Sequence, residues 1–178
     1  MDEKPAQVQP GVGLVNSEKN EFGLRVSSTS EGNQFMAFKF LVVEDEFLLA
    51  MHYEEAILAL GHELLAIVPS GIKAMAYLDQ ADIALVDLSL ADGATGMELG
   101  RSLAAGGVTV LYMTADPSRL DDEAIPGVAG VIAKPLFDLE LVGAIQYLAD
   151  VRSRIVSLAP RRMTRTRSSA WLGDEAPA

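Results

Sequence analysis

The sequence has no cysteine, which excludes disulfides and thiolate-held metals. It has no apolar run approaching the roughly 20 residues that a membrane-spanning helix requires. The N-terminus carries acids and no apolar stretch, so a secretory signal is not expected and the cytoplasm is the default location. Bases are scarce, 14 Lys and Arg against 25 Asp and Glu, for a formal charge of −11. That balance argues against a whole-domain grip on nucleic acid, and no direct DNA binding is expected. Hydrophobic period is missing from residues 1–35, which are rich in Gly, Ser, Asn, Gln and Glu and read as a disordered extension. The "GVG" at 11–13 has no strand ahead of it and carries no nucleotide-binding signal. Met36 offers a second plausible start, so this segment is either the product of an upstream start codon or a genuine arm.

What is present is a globular body. Of the 178 residues, 49% are hydrophobic, enough for one domain with a sizeable core. From Phe38 onward the pattern alternates strand and helix. "FKFLVV" reads as a first strand, followed by a helix with Leu49, Tyr53, Ala56 and Leu60 on one face and Gly61 at its stop. "ELLAIVP" (63–69) is a second strand and 71–80 a short helix. "DIALVD" (82–87) is a strand without polar alternation, as buried parallel strands are. A Gly-rich loop (88–96) leads to the helix "MELGRSLAA". "VTVLYMT" (108–114) is a fourth strand, and "SRLDDEAI" has room for one or two helical turns. "GVAGVIAKP" holds a fifth strand, and a last helix begins with Asp138 as its expected N-cap. Five such units predict an α/β fold, a doubly wound parallel sheet with helices on both faces. The division is a domain at 36–150, with a helix extension and basic tail at 151–178.

In such sheets function gathers beyond the carboxyl ends of the strands. Glu44 and Asp45 follow the first strand, Asp87 ends the third, Thr114 the fourth, and Lys134 with Pro135 the fifth. Three neighbouring carboxylates raise one another's pKa unless a cation neutralises them. An all-oxygen donor set with room for water suits Mg2+. His52 and His62 have no metal-ligand neighbours and read as structural, and Asp92 in "ADGATG" reads as a turn residue.

This ordered set resembles the receiver domain of bacterial two-component response regulators. The residues that carry the likeness are the acid pair in "VVEDE", Asp87 in "ALVDLSL", Thr114 and Ala115 in "LYMTA", and Lys134–Pro135 in "IAKPL". The resemblance spans about residues 38–150. It implies a flavodoxin-like sheet of five strands in the order 2-1-3-4-5, with Asp87 as phosphoacceptor for a histidine kinase or phosphotransfer protein. It implies Mg2+ on Asp45, Asp87 and the Ser89 main-chain carbonyl, with Glu44 acting directly or through water. Lys134 would neutralise phosphoryl oxygens, and Thr114 would move toward the phosphoryl group. Phe47, Leu48, Met51, Pro135 and Phe137 would form the kinase-docking patch. The protein would be a signalling switch and not a turnover enzyme.

Two departures bear on the output. Receivers usually have an aromatic three residues before the lysine, where Val131 stands, and a proline after the phosphoacceptor, which is missing from "LSLADGATG". Residues 151–178 are too few for a helix-turn-helix effector, so a stand-alone receiver is expected. Residues 38–150 hold 18 acids against 5 bases, whereas residues 151–178 hold six arginines against two acids, so an acidic body carries a basic tail. Leu141, Ala144, Leu148, Val151, Ile155 and Leu158 repeat at heptad spacing up to Pro160. They predict either a homodimer seam along 141–158 or a helix that packs on the sheet and then frays. Two other readings are weighed. A haloacid-dehalogenase-like phosphatase would need a second acid two residues after the nucleophile, where Ser89 stands. A degenerate, phosphorylation-independent receiver would not need the complete set of five residues.

Overall fold

The alternation of strand and helix sets the architecture of the chain, described by a computed structural model over residues 17–19, 25–27, 36–91, 96–117, 126–155 and 157–165. The chain divides into two units, Met1–Phe35 and Met36–Ala178. In the first, β1 (Ser17–Lys19) pairs antiparallel with β2 (Arg25–Ser27). No element was expected there. The rest of that stretch, with the expected disorder, lies outside the described residues.

In the second unit the elements are β3 (Lys39–Val43), α1 (Phe47–Ala59), β4 (Glu63–Val68), α2 (Gly71–Ala74) and β5 (Ile83–Asp87). They continue with α3 (Gly96–Ala105), β6 (Thr109–Thr114), β7 (Val128–Ala133), α4 (Asp138–Arg152) and β8 (Met163–Arg165). The sheet order is β4-β3-β5-β6-β7-β8. Every pair but the last is parallel. The predicted doubly wound sheet and its five-strand order are therefore observed.

The apolar strands are buried on both faces, and their two-residue period divides the core into two layers. Phe40 and Val42, Ile83 and Leu85, and Leu111 and Met113 point to one layer, with Tyr53 and Ile57 of α1 and Leu141, Ile145 and Leu148 of α4. Leu41 and Val43, Ala84 and Val86, and Val110 and Tyr112 point to the other, with Leu99 and Leu103 of α3. Gly100 permits the close approach of α3. A Cβ there would stand 2.2 Å from the Tyr112 ring, whose hydroxyl donates to the Met97 carbonyl at 2.9 Å.

Several expectations need correction. The sheet has six strands, because β8 adds antiparallel to β7. A three-residue strand among arginines has no periodic signal to betray it. The last helix does not run to Pro160. Arg154 takes a left-handed φ of 58°, and the Arg154 and Ile155 amides donate back to the Val151 and Asp150 carbonyls. That is the Schellman closure, usually made with glycine. The heptad seam is therefore broken: Leu141, Ala144 and Leu148 are buried in this chain's own core, and Ile155 lies beyond the helix. Among the described residues, 141–158 do not form one continuous helix, and the first half packs on the sheet, as the second of the two readings had it. Asp138 is not the N-cap either. Phe137 occupies that position and its amide donates to the Glu140 carboxylate, while Asp138 accepts from His52 Nε2 at 2.9 Å and ties α4 to α1. Residues 71–80 form only the short α2 and a 3-10 turn at Met75–Tyr77. The turns expected at 118–125 and Asp92 lie outside the described residues. No described helix is long and apolar enough to cross a membrane.

Candidate functional site

Between β3 and β5 the strand order reverses, since β3 lies beside both β4 and β5. Such a switch point opens a crevice at the carboxyl ends of the strands. Ladder hydrogen bonds continue past the strand ends and hold the first loop residues in place. The Glu44 amide donates to the Val68 carbonyl at 3.0 Å, Leu88 to Met113 at 3.0 Å, and Lys134 to Thr114 at 2.8 Å. Gly96 admits the start of α3 against this turn, because a Cβ there would stand 2.6 Å from the Asp87 carbonyl oxygen.

At this rim Lys134 Nζ donates to Glu44 Oε2 at 2.7 Å and to Asp87 Oδ2 at 2.8 Å. Glu44 and Asp87 are 2% and 3% exposed, and the lysine side chain 13%. Burial raises the Glu44 pKa, with the Asp87 charge adding to it and Lys134 opposing. Burial alone would lower the Lys134 pKa, but its bonds to Asp87 and Glu44 prevail and raise it. The ammonium is thus held charged between two acids.

Oxygen atoms of Glu44, Asp45 and Asp87 lie within 4.8 Å of one another. Asp45, exposed, accepts the Ala91 amide on Oδ2 at 3.0 Å, and Asp87 accepts the Ser89 amide on Oδ1 at 2.9 Å. Three carboxylates and one ammonium leave a formal charge of −2, which a single divalent cation neutralises. Hard oxygen donors of this kind fit Mg2+. Thr114, fully buried, ends β6 with its hydroxyl accepting the Asp116 amide at 3.1 Å, so it faces its own loop. The rim also carries exposed apolar side chains: Phe47 at 74%, Leu48 at 81% and Phe137 at 64%.

No protein-family model matches the chain. It is 33% identical over 104 residues to the phyllosphere-induced regulator PhyR of Methylorubrum extorquens, across 56% of this chain and 39% of that protein. It therefore spans less than half the length of that relative. The crystal structure of the response regulator PhyR from Brucella abortus aligns at 29% identity and a TM-score of 0.55, over 64% of this chain and 48% of that one. The PhyR receiver domain of Erythrobacter litoralis, at 24% identity, shares the fold with a TM-score of 0.57 over 68% of this chain and 97% of its own length. In fold, and in sequence to the PhyR proteins, the chain is similar to response-regulator receiver domains.

The rim brings together the side chains of Glu44, Asp45, Asp87 and Lys134, all four placed there by their positions at strand ends. Thr114 lies one position beyond Met113, the β6 partner of Asp87. Ser89 lies against Asp87 through its amide. His52 bonds Asp138 at the start of α4, and His62 precedes β4, at the opposite end of the strand from this rim. His62 is buried, its Nδ1 accepts the Phe38 amide at 3.4 Å, and burial lowers its pKa. Sequence reasoning missed Ala91, which orients Asp45 through a main-chain amide and so leaves no side-chain signal. It also missed Arg162, whose Nη1 donates to the Pro135 carbonyl at 3.0 Å and to Glu140 Oε2 at 2.9 Å. Gly96 was legible in principle, as a glycine at a helix start.

Proposed function

We propose that this receiver accepts a phosphoryl group on Asp87 from a histidine kinase or phosphotransfer protein, in a Mg2+-dependent reaction, and changes conformation when loaded. One observation carries the reading: a single ammonium bridges Asp87 and Glu44 within 2.8 Å, beside a third carboxylate. An ionised Asp87 needs no general base. Its carboxylate oxygen attacks phosphorus, the P–N bond of the phosphohistidine breaks, and the imidazole leaves with the bonding pair.

Phosphoryl transfer has a loose, charge-rich transition state, so the residues act by positioning and neutralisation. The Ser89 amide fixes one Asp87 oxygen and Lys134 the other, which holds the carboxylate plane. Lys134 then turns its ammonium to the incoming phosphoryl oxygens. Asp45, Asp87 and Glu44 would hold Mg2+, which neutralises phosphoryl charge when bound. The hydroxyl of Thr114 would leave Asp116 to meet the phosphoryl group and draw its loop along. Phe47, Leu48, Met51, Pro135 and Phe137 form an apolar rim suited to a kinase helix. The likeness to PhyR receivers supports a signalling role in the cytoplasm. The phosphatase reading is weaker, because residue 89 supplies an amide and no second acid.

The test is chemical. Incubated with acetyl phosphate and Mg2+, the protein should take up one phosphoryl group per chain, in a linkage that hydroxylamine cleaves, and a chelator should prevent the uptake. Steady release of phosphate from a small phosphomonoester would instead establish a phosphatase.

A further inference from the structure

The strand β8 lies on β7, whose end leads into Lys134. Thr164 stands opposite Val131, where a receiver usually has its aromatic. Met163 is 7% exposed and belongs to the core layer beneath α4. Just before β8, Arg162 reaches the Pro135 carbonyl and the Glu140 carboxylate together. A short strand with a charged residue is enough to blunt a sheet edge. Edge protection does not account for a guanidinium bonded to the carbonyl next to Lys134.

We propose that residues 157–165 form a latch whose docking is set by the phosphoryl state of Asp87, with Arg162 as the positioning residue between them. The proposal rests on the phosphoacceptor reading above. A phosphoryl group replaces the single carboxylate charge of Asp87 with up to about two, and brings three acceptor oxygens. Lys134 must turn from Glu44 and Asp87 toward them. Its amide is bonded to the Thr114 carbonyl at 2.8 Å, and Thr114 ends the strand whose loop also responds. The next residue, Pro135, has no amide to anchor it, and its carbonyl is the acceptor that Arg162 holds at 3.0 Å. A shift of about 1 Å takes that pair out of hydrogen-bond range. Three residues of ladder make a marginal strand on their own, so the latch then opens. Val131 is β-branched and stiff at χ1, with no ring to swing. At this edge the strand itself is the part with two arrangements.

Hydrogen exchange of the peptide spanning 157–165 tests this in the full chain, with intact mass recording the phosphoryl load of the same sample. With Mg2+ alone, exchange should be slow. With Mg2+ and acetyl phosphate it should quicken by about tenfold, as expected for the loss of one charge-assisted bond. Asp87→Asn should stay slow in both conditions. Arg162→Gln should be fast in both, and Arg162→Lys should restore part of the response. Phosphoryl uptake with unchanged exchange in the wild type would overturn the latch and leave the phosphoacceptor reading standing. No uptake would overturn both. An Arg162→Gln chain that still responded like the wild type would remove Arg162 from the coupling.

Discussion

Replacing Lys134 by methionine isolates the electrostatics of the rim. The substitution keeps a long apolar stem and deletes the ammonium. Glu44 and Asp87 have side chains 0% and 4% exposed, so neither can be rehydrated without local opening. Breaking a buried pair by removing one partner typically costs about 3–5 kcal/mol. The single lysine serves both acids, so the two losses do not simply add. In Glu44 the causes that hold its pKa down are chiefly those from Lys134, and without them burial and the Asp87 charge remain. The folded-state pKa then rises further above the unfolded value. Between those two pKa values the folded state binds more protons than the unfolded, so stability falls as pH rises. The loss is therefore largest at neutral pH and fades as pH drops toward the ordinary carboxylate range. Urea denaturation of Lys134→Met and wild type, in chelator, across that range is the assay. Added Mg2+ should recover part of the neutral-pH loss by replacing the missing charge. A neutral-pH loss below about 1 kcal/mol would show that the ammonium is not holding buried charge. A loss that grew on acidification would reverse the predicted sign and refute the reasoning.

Gly96→Ala should cost about 1–3 kcal/mol, as overpacking does, since its Cβ would stand 2.6 Å from the Asp87 carbonyl and 2.9 Å from Leu88 Cα. Thermal unfolding checks the stability, and slower phosphoryl uptake checks the displacement of Asp87. His62 is buried with its pKa lowered, so acidification through its ordinary range protonates the unfolded chain first and destabilises the fold. The pH slope of the wild type should exceed that of His62→Gln by up to about 1.4 kcal/mol per pH unit there, and equal slopes would contradict the burial argument. Arg154→Gly should stabilise the chain by about 0.5–1 kcal/mol in chemical denaturation, because a left-handed φ penalises a residue with a Cβ. A destabilised Arg154→Gly chain would mean that the arginine side chain holds the turn.

How much of this was legible depended on range. "DIALVD" reads as a buried parallel strand because its apolar run has no polar alternation, and β5 is indeed buried throughout. Glu44, Asp45, Asp87 and Lys134 were found because they follow strands, and a switch-point fold brings strand ends together. The bond between Lys134 and Glu44 spans 90 positions, so only the fold hypothesis predicted their meeting. Long-range contacts without a period stayed hidden. β8 is three residues long, and its register against Gly130–Ile132 leaves no trace in composition. The stop of α4 was hidden by chemistry, since an arginine fills the place where glycine would signal a Schellman turn, while the heptad spacing runs on beyond it. Thr114 was placed correctly at a strand end, but the sequence does not show that its hydroxyl turns to Asp116.

The most direct measurement locates the phosphoryl group. After incubation with acetyl phosphate and Mg2+, borohydride reduction converts an aspartyl phosphate to homoserine, which peptide mass spectrometry reads by position. The account predicts homoserine at residue 87 in the wild type and nowhere in Asp87→Asn. Conversion at another acid, or none in a chain with an intact rim, would contradict it.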